Sequence, residues 1–98
     1  MDIVELLPTG EANAIPSKEL AARCGFRSVR DLQSFIESER CAGKIIASKS
    51  RNGGGYFKPA DISELRSYVR TCEARARNTF RSLNGARKAL KLLERKSV

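Results

Sequence analysis

The stretch that decides the fold begins Pro16-Ser17-Lys18-Glu19-Leu20-Ala21-Ala22-Arg23-Cys24-Gly25-Phe26-Arg27-Ser28-Val29-Arg30-Asp31-Leu32 and runs on to Lys58. It reads as two short helices joined by a tight turn. Ser17 stands as N-cap of the first, with Glu19 in the first turn, where the helix dipole favours an anion. Leu20 and Ala21 point inward. Gly25 supplies the backbone freedom for a sharp turn, and Phe26 is the apolar plug beneath it. The second helix opens on Ser28-Val29-Arg30-Asp31, a capping box. Val29, Leu32, Phe35 and Ile36 then fall at helical spacing and bury one stripe, and Gly43 is the natural stop. Arg27, Arg30, Gln33, Ser34 and Glu37 are left on the outward face.

A hairpin follows. Ile45-Ile46-Ala47-Ser48-Lys49 and Tyr56-Phe57-Lys58 suit a pleated surface, and Asn52-Gly53 in the intervening tip is a strong hairpin signal. Gly53-Gly54-Gly55 is not a phosphate-cradling loop. No Gly-Lys-Ser/Thr follows it, and no strand-to-helix transition surrounds it. It reads as a pliant tip flanked by Lys49, Arg51 and Lys58.

Upstream, Ile3, Val4, Leu6 and Leu7 form a short buried helix stopped by Pro8-Thr9-Gly10. Ala12–Ile15 is expected to be extended, because the residue before Pro16 is pushed out of helical geometry. Downstream, Asp61 caps a new helix. Ile62, Val69, Ala76, Leu83 and Leu90 repeat every seven residues, and Leu65, Cys72, Thr79, Ala86 and Leu93 form a second series. That is coiled-coil spacing, thin in the middle where Ala76, Thr79 and Ala86 bury little. Tyr68 and Phe80 widen the stripe. Continuous to Arg95, the helix would be about 50 Å long, and Asn84-Gly85 is where it is expected to break.

At 98 residues the chain has room for one modest core, and its hydrophobic content of 41% is enough to fold. The start, Met1-Asp2-Ile3-Val4-Glu5, lacks the basic flank and cleavage site of a secretory signal, and no apolar run is long enough to span a membrane. The expected location is the cytoplasm. Cys24, Cys41 and Cys72 are odd in number and widely spaced, and there is no histidine. They read as reduced thiols acting as small apolar side chains, so no metal site is expected. Without histidine, an activated cysteine or a carboxylate pair in an identifiable cleft, no catalytic residue or cofactor is expected either.

The net charge of +8 is unevenly placed. Residues 1–65 hold nine basic and nine acidic side chains, whereas residues 66–98 hold ten basic and two acidic. A basic stretch of that kind attracts polyanions, nucleic acid being the commonest. The bland alternative is a solvated helix face kept soluble by charge.

Taken in order, these segments are those of a mostly helical α+β chain: a winged helix-turn-helix unit over residues 1–60, with a two-stranded wing, and a long basic helix over 61–98. Asn13-Ala14-Ile15-Pro16-Ser17-Lys18-Glu19-Leu20-Ala21, the wing Asn52-Gly53-Gly54-Gly55-Tyr56-Phe57 and the helix around Ala74-Arg75-Ala76-Arg77 resemble the small winged helix-turn-helix proteins of phages and integrated elements of Gram-positive bacteria. The resemblance implies binding to double-stranded DNA, in regulation, replication or excision. The candidate contacts are Arg27, Ser28, Arg30, Gln33 and Ser34 on the second helix and Lys49, Arg51, Asn52 and Lys58 on the wing, since a major groove admits one helix while a wing reaches the flanking backbone. Ile62, Leu65, Val69, Leu83, Leu90 and Leu93 are candidate contacts for a homodimer. The alternative is a protein-interaction or assembly module without sequence-specific DNA binding, because Asp31, Glu37 and Glu39 temper the basic character of the second helix.

Overall fold

A computed structural model describes residues 2–50 and 54–96. Its elements are α1 (Ile3–Leu6), a 3-10 turn (Glu11–Asn13), α2 (Ser17–Cys24), α3 (Val29–Cys41), β1 (Ala47–Lys49), β2 (Gly55–Phe57) and α4 (Ile62–Lys96). The chain is therefore mostly helical α+β, with one two-stranded antiparallel hairpin and a long C-terminal helix. It divides into two units, Met1–Tyr68 and Val69–Val98.

Local chemistry explains most of the boundaries in the first unit. Asp2 caps α1 by accepting the Val4 N–H at 3.0 Å. Gly25 ends α2 in the left-handed region at φ 77°, and the Phe26 N–H reaches back to the Ala21 carbonyl at 2.9 Å. Ser28 Oγ accepts the Asp31 N–H at 3.1 Å, the serine half of the expected capping box. Asp61 Oδ1 caps α4 by accepting the Glu64 N–H at 2.9 Å. The Glu64 carboxylate in turn accepts the Ala60 N–H at 2.9 Å and, at 3.3 Å, the Glu11 N–H from far upstream.

The core is small and apolar. Ile3, Leu20, Leu32, Ile36 and Ile46 are fully buried, joined by Leu7, Ile15, Ala21 and Tyr56. Each such aliphatic side chain stabilises the fold by about 1.5–3 kcal/mol relative to exposure. Phe26 lies half-buried against this cluster with its ring 5.3 Å from that of Phe35. α2 and α3 thus share one apolar face, and the outer face of α3 is left to solvent.

The hairpin pairs Ala47 with Phe57, Ser48 with Tyr56 and Lys49 with Gly55. On its other edge β2 is held by an upstream segment. Ile15 and Tyr56 exchange both amide bonds at 2.9 Å, and Lys58 bonds Pro8 and Gly10 at 2.8 Å through its N–H and carbonyl respectively. β2 is therefore paired on both edges, which fixes the hairpin's root in the core.

Five expectations need correction. Leu6 is exposed on α1 rather than buried, because Ile3 is the only residue of that single turn buried in the core. The N-cap of α2 is Pro16, without a side-chain cap, and Ser17 is already helical: the extended Pro16 (ψ 149°) leads straight into the first turn. Ala12 and Asn13 lie in the 3-10 turn rather than in extended chain, because the left-handed Gly10 (φ 96°) redirects the backbone into Asn13–Gly10 and Ala14–Glu11 bonds. Ile45 and Ile46 precede β1, and the Ile46 carbonyl is taken by an arginine side chain described below. Finally, α4 runs through Asn84-Gly85 without a break. One glycine inside a helix costs only about 1 kcal/mol against alanine, too little to end it.

Candidate nucleic-acid interface

α3 is amphipathic. Its inward stripe, Leu32 and Ile36 with Val29 and Phe35 at the margins, is set by the core. Arg27, Ser28, Arg30, Gln33 and Ser34 all emerge as exposed, gathered around the helix start and its first two turns. Ser28 Oγ already accepts the Asp31 amide, which leaves its hydroxyl hydrogen to donate outward. Two guanidinium groups, a hydroxyl pair and a carboxamide at a helix N-terminus form a donor-rich face that suits phosphate oxygens and base acceptors. Asp31 and Glu37 are exposed on the same helix and limit its net positive charge.

The hairpin candidates are not all brought together. Lys49 is half-buried at the tip end of β1, opposite Gly55. Lys58 lies at the other end, past the Ala47–Phe57 pair, where it lines an open hollow of about 600 Å³ with Asp2, Val4, Lys44, Ile45 and Pro59. Arg51 and Asn52 lie outside the described residues.

Arg40, absent from the sequence-based candidates, positions this face. Its Nε donates to the Ile46 carbonyl at 2.8 Å and its Nη2 to Ser48 Oγ at 3.4 Å. Its guanidinium carbon also sits 5.9 Å from the Tyr56 ring centroid and 5.4 Å from that of Tyr68. One planar cation thereby ties the end of α3 to the hairpin root and to the first turns of α4. The signal was present in the spacing: Arg40 follows Ile36 by four residues and so continues the inward stripe. Arg40→Ala should lower stability by about 2 kcal/mol, from two charge-assisted hydrogen bonds, one of them long, and two cation–π contacts. Arg40→Lys should recover only part, since an ammonium lacks the fork. Urea unfolding of the three proteins checks this.

The remaining chemistry is quiet. Cys24, Cys41 and Cys72 are free thiols, and burial pushes the Cys24 thiol above its ordinary pKa, away from the reactive thiolate. Among the described residues, no group of three or more metal-ligating side chains occurs, and no helix is long and apolar enough to cross a membrane. α4 contributes no buried residue and carries Ile62, Val69, Phe80, Leu83, Leu90, Leu92 and Leu93 exposed. Leu65, beside Ile62 in the first unit, is half-buried along the same hollow as Lys58. Compared with protein-family models, curated proteins and solved structures, the chain matches none.

Proposed function

We propose that this protein is a sequence-specific double-stranded DNA-binding protein of the winged helix-turn-helix class, with α2 and α3 as the two-helix motif and the β1–β2 hairpin as wing. The observation that carries the reading is the exposed cluster Arg27, Ser28, Arg30, Gln33 and Ser34 on a helix whose opposite face is locked in the core. In this reading the start of α3 enters the major groove, and Lys49 with Arg51 and Asn52 meets the flanking backbone. Lys58, at the hairpin root, is the weakest of the candidate contacts. The biological role is that of a regulator or a replication or excision accessory factor of a phage-like element, acting without catalysis.

A salt series tests it. Affinity for a duplex should fall by roughly a thousandfold between 50 and 200 mM salt as phosphate contacts release counterions. Affinity that is low and flat with salt would instead favour a protein-interaction module. One observation supports that second reading, the exposed apolar side chains along α4. In the DNA reading they serve self-association, through Ile62, Leu65, Val69, Leu83, Leu90 and Leu93.

A further inference from the structure

The side chains that flank the apolar seam of α4 carry an order of charge that selects one partner and one direction. Arg66, Glu73, Phe80, Arg87 and Glu94 each follow a residue of the Leu65–Leu93 series by one position. They recur every seven residues along a single side of the seam, and all five are exposed. Read along the helix, the sequence is cation, anion, ring, cation, anion. Reversed, it is its own complement.

We propose that α4 pairs with α4 of a second copy in antiparallel register centred at Phe80–Ser82. In that register Arg66 faces Glu94 of the second copy, Glu73 faces its Arg87, and Phe80 meets Phe80 across the two-fold axis. Symmetry doubles both ion pairs. The seam then sets Val69 opposite Leu93, Cys72 opposite Leu90, Ala76 opposite Ala86 and Thr79 opposite Leu83. Ala76 meets Ala86 where the heptads are thinnest, the small Cys72 and Thr79 each face a leucine that fills the layer, and Val69–Leu93 closes the ends. On the other flank Ser82 meets itself and Arg75 meets Ala89, so no like charges collide.

The competing arrangements lack this fit. Sliding the reversed copy by one heptad opposes Arg66 to Arg87 in one direction and Glu73 to Glu94 in the other, each a repulsion. A parallel copy sets the charged flank against Tyr68, Arg75, Ser82 and Ala89, which yields no pair of opposite charges within the helix; Asp61, which would face Arg66, is already committed to capping the Glu64 amide. Charge complementarity therefore picks both orientation and register. Arg70, Arg77, Arg81, Lys88 and Arg95 lie on the outer positions of the helix and stay available to a polyanion. The proposal deepens the self-association reading of α4, keeping Val69, Leu83, Leu90 and Leu93 in the seam and leaving Ile62 and Leu65 outside it, and is independent of whether α3 binds DNA.

Two measurements on the full chain test it. Leu90→Cys in a Cys24→Ser, Cys41→Ser background places a thiol opposite Cys72 of the second copy. After oxidation, peptide mapping should find the native Cys72 thiol bridged to the thiol introduced at position 90. Bridges joining like positions would overturn the orientation, and a wild-type chain that sediments as a monomer at high micromolar concentration would overturn self-association itself. Because the seam substitution removes apolar surface from the seam, charge exchange supplies a second test. Glu73→Arg or Arg87→Glu alone should each raise the dimer dissociation constant by about tenfold, as two attractive pairs become repulsive. The double exchange should restore it to about the wild-type value. Silent single variants, or a double variant weaker than either, would overturn the register.

Discussion

Gly55→Ala should cost about 3 kcal/mol or more of stability, a large share of what a small domain has. Gly55 opens β2 at φ 144°, a conformation that side-chain-bearing residues rarely adopt. A Cβ there would meet the Ile15 carbonyl oxygen at 2.9 Å, Ala14 Cβ at 3.0 Å and the Ile15 carbonyl carbon at 3.1 Å. These neighbours have little freedom to retreat, because Ile15 is tied to Tyr56 by two backbone hydrogen bonds. Strain at the backbone and overpacking against it therefore add. Gly85→Ala is the matched control. Nothing lies within 4 Å of a Cβ built there, and the residue is inside α4, so alanine should raise helicity and stability by up to about 1 kcal/mol. Urea unfolding followed by circular dichroism reads both. A neutral Gly55→Ala would mean that the upstream segment does not pack against β2 as closely as these contacts require.

The second large effect belongs to recognition. Arg27→Ala combined with Arg30→Ala should weaken binding to the preferred duplex by about 2–4 kcal/mol, with each guanidinium worth about 1–3 kcal/mol if it contacts a base. Both side chains are exposed and outside the core, so the melting temperature should hardly move. Fluorescence anisotropy on labelled duplexes, with a thermal melt alongside, separates loss of contact from loss of fold. Intact affinity in the double variant would take this face of α3 out of the interface.

Much of the fold was legible because its signals are local. The Leu32–Ile36 stripe, the Ser28 and Asp61 caps and the left-handed turn at Gly25 each depend on residues within four positions of one another, and the structure contains all of them. What escaped reading is long-range. Glu64 caps the amide of Glu11, Ile15 serves as an edge partner for Tyr56, and Arg40, whose inward position the spacing did show, reaches the distant rings of Tyr56 and Tyr68. No local propensity encodes such pairings; they follow from which segments the core brings together. Ser17 misled for a related reason. Its residue type suits a cap, but the extended Pro16 already holds that position, and chain geometry outweighs side-chain preference. The candidate contacts on α3 were readable as whatever the apolar stripe leaves over. Those on the hairpin were not, because periodicity does not distinguish Lys49 at the tip end from Lys58 at the root.

The most direct measurement is selection of bound sequences from a pool of randomised duplexes at near-physiological salt, run in parallel with wild-type protein and the Arg27→Ala, Arg30→Ala variant. Wild type should enrich a common sequence, and the variant should lose that preference while keeping weak, salt-sensitive binding through its remaining basic side chains. A pool that emerges unenriched from wild type, or an identical enriched sequence from both proteins, would contradict base reading by α3.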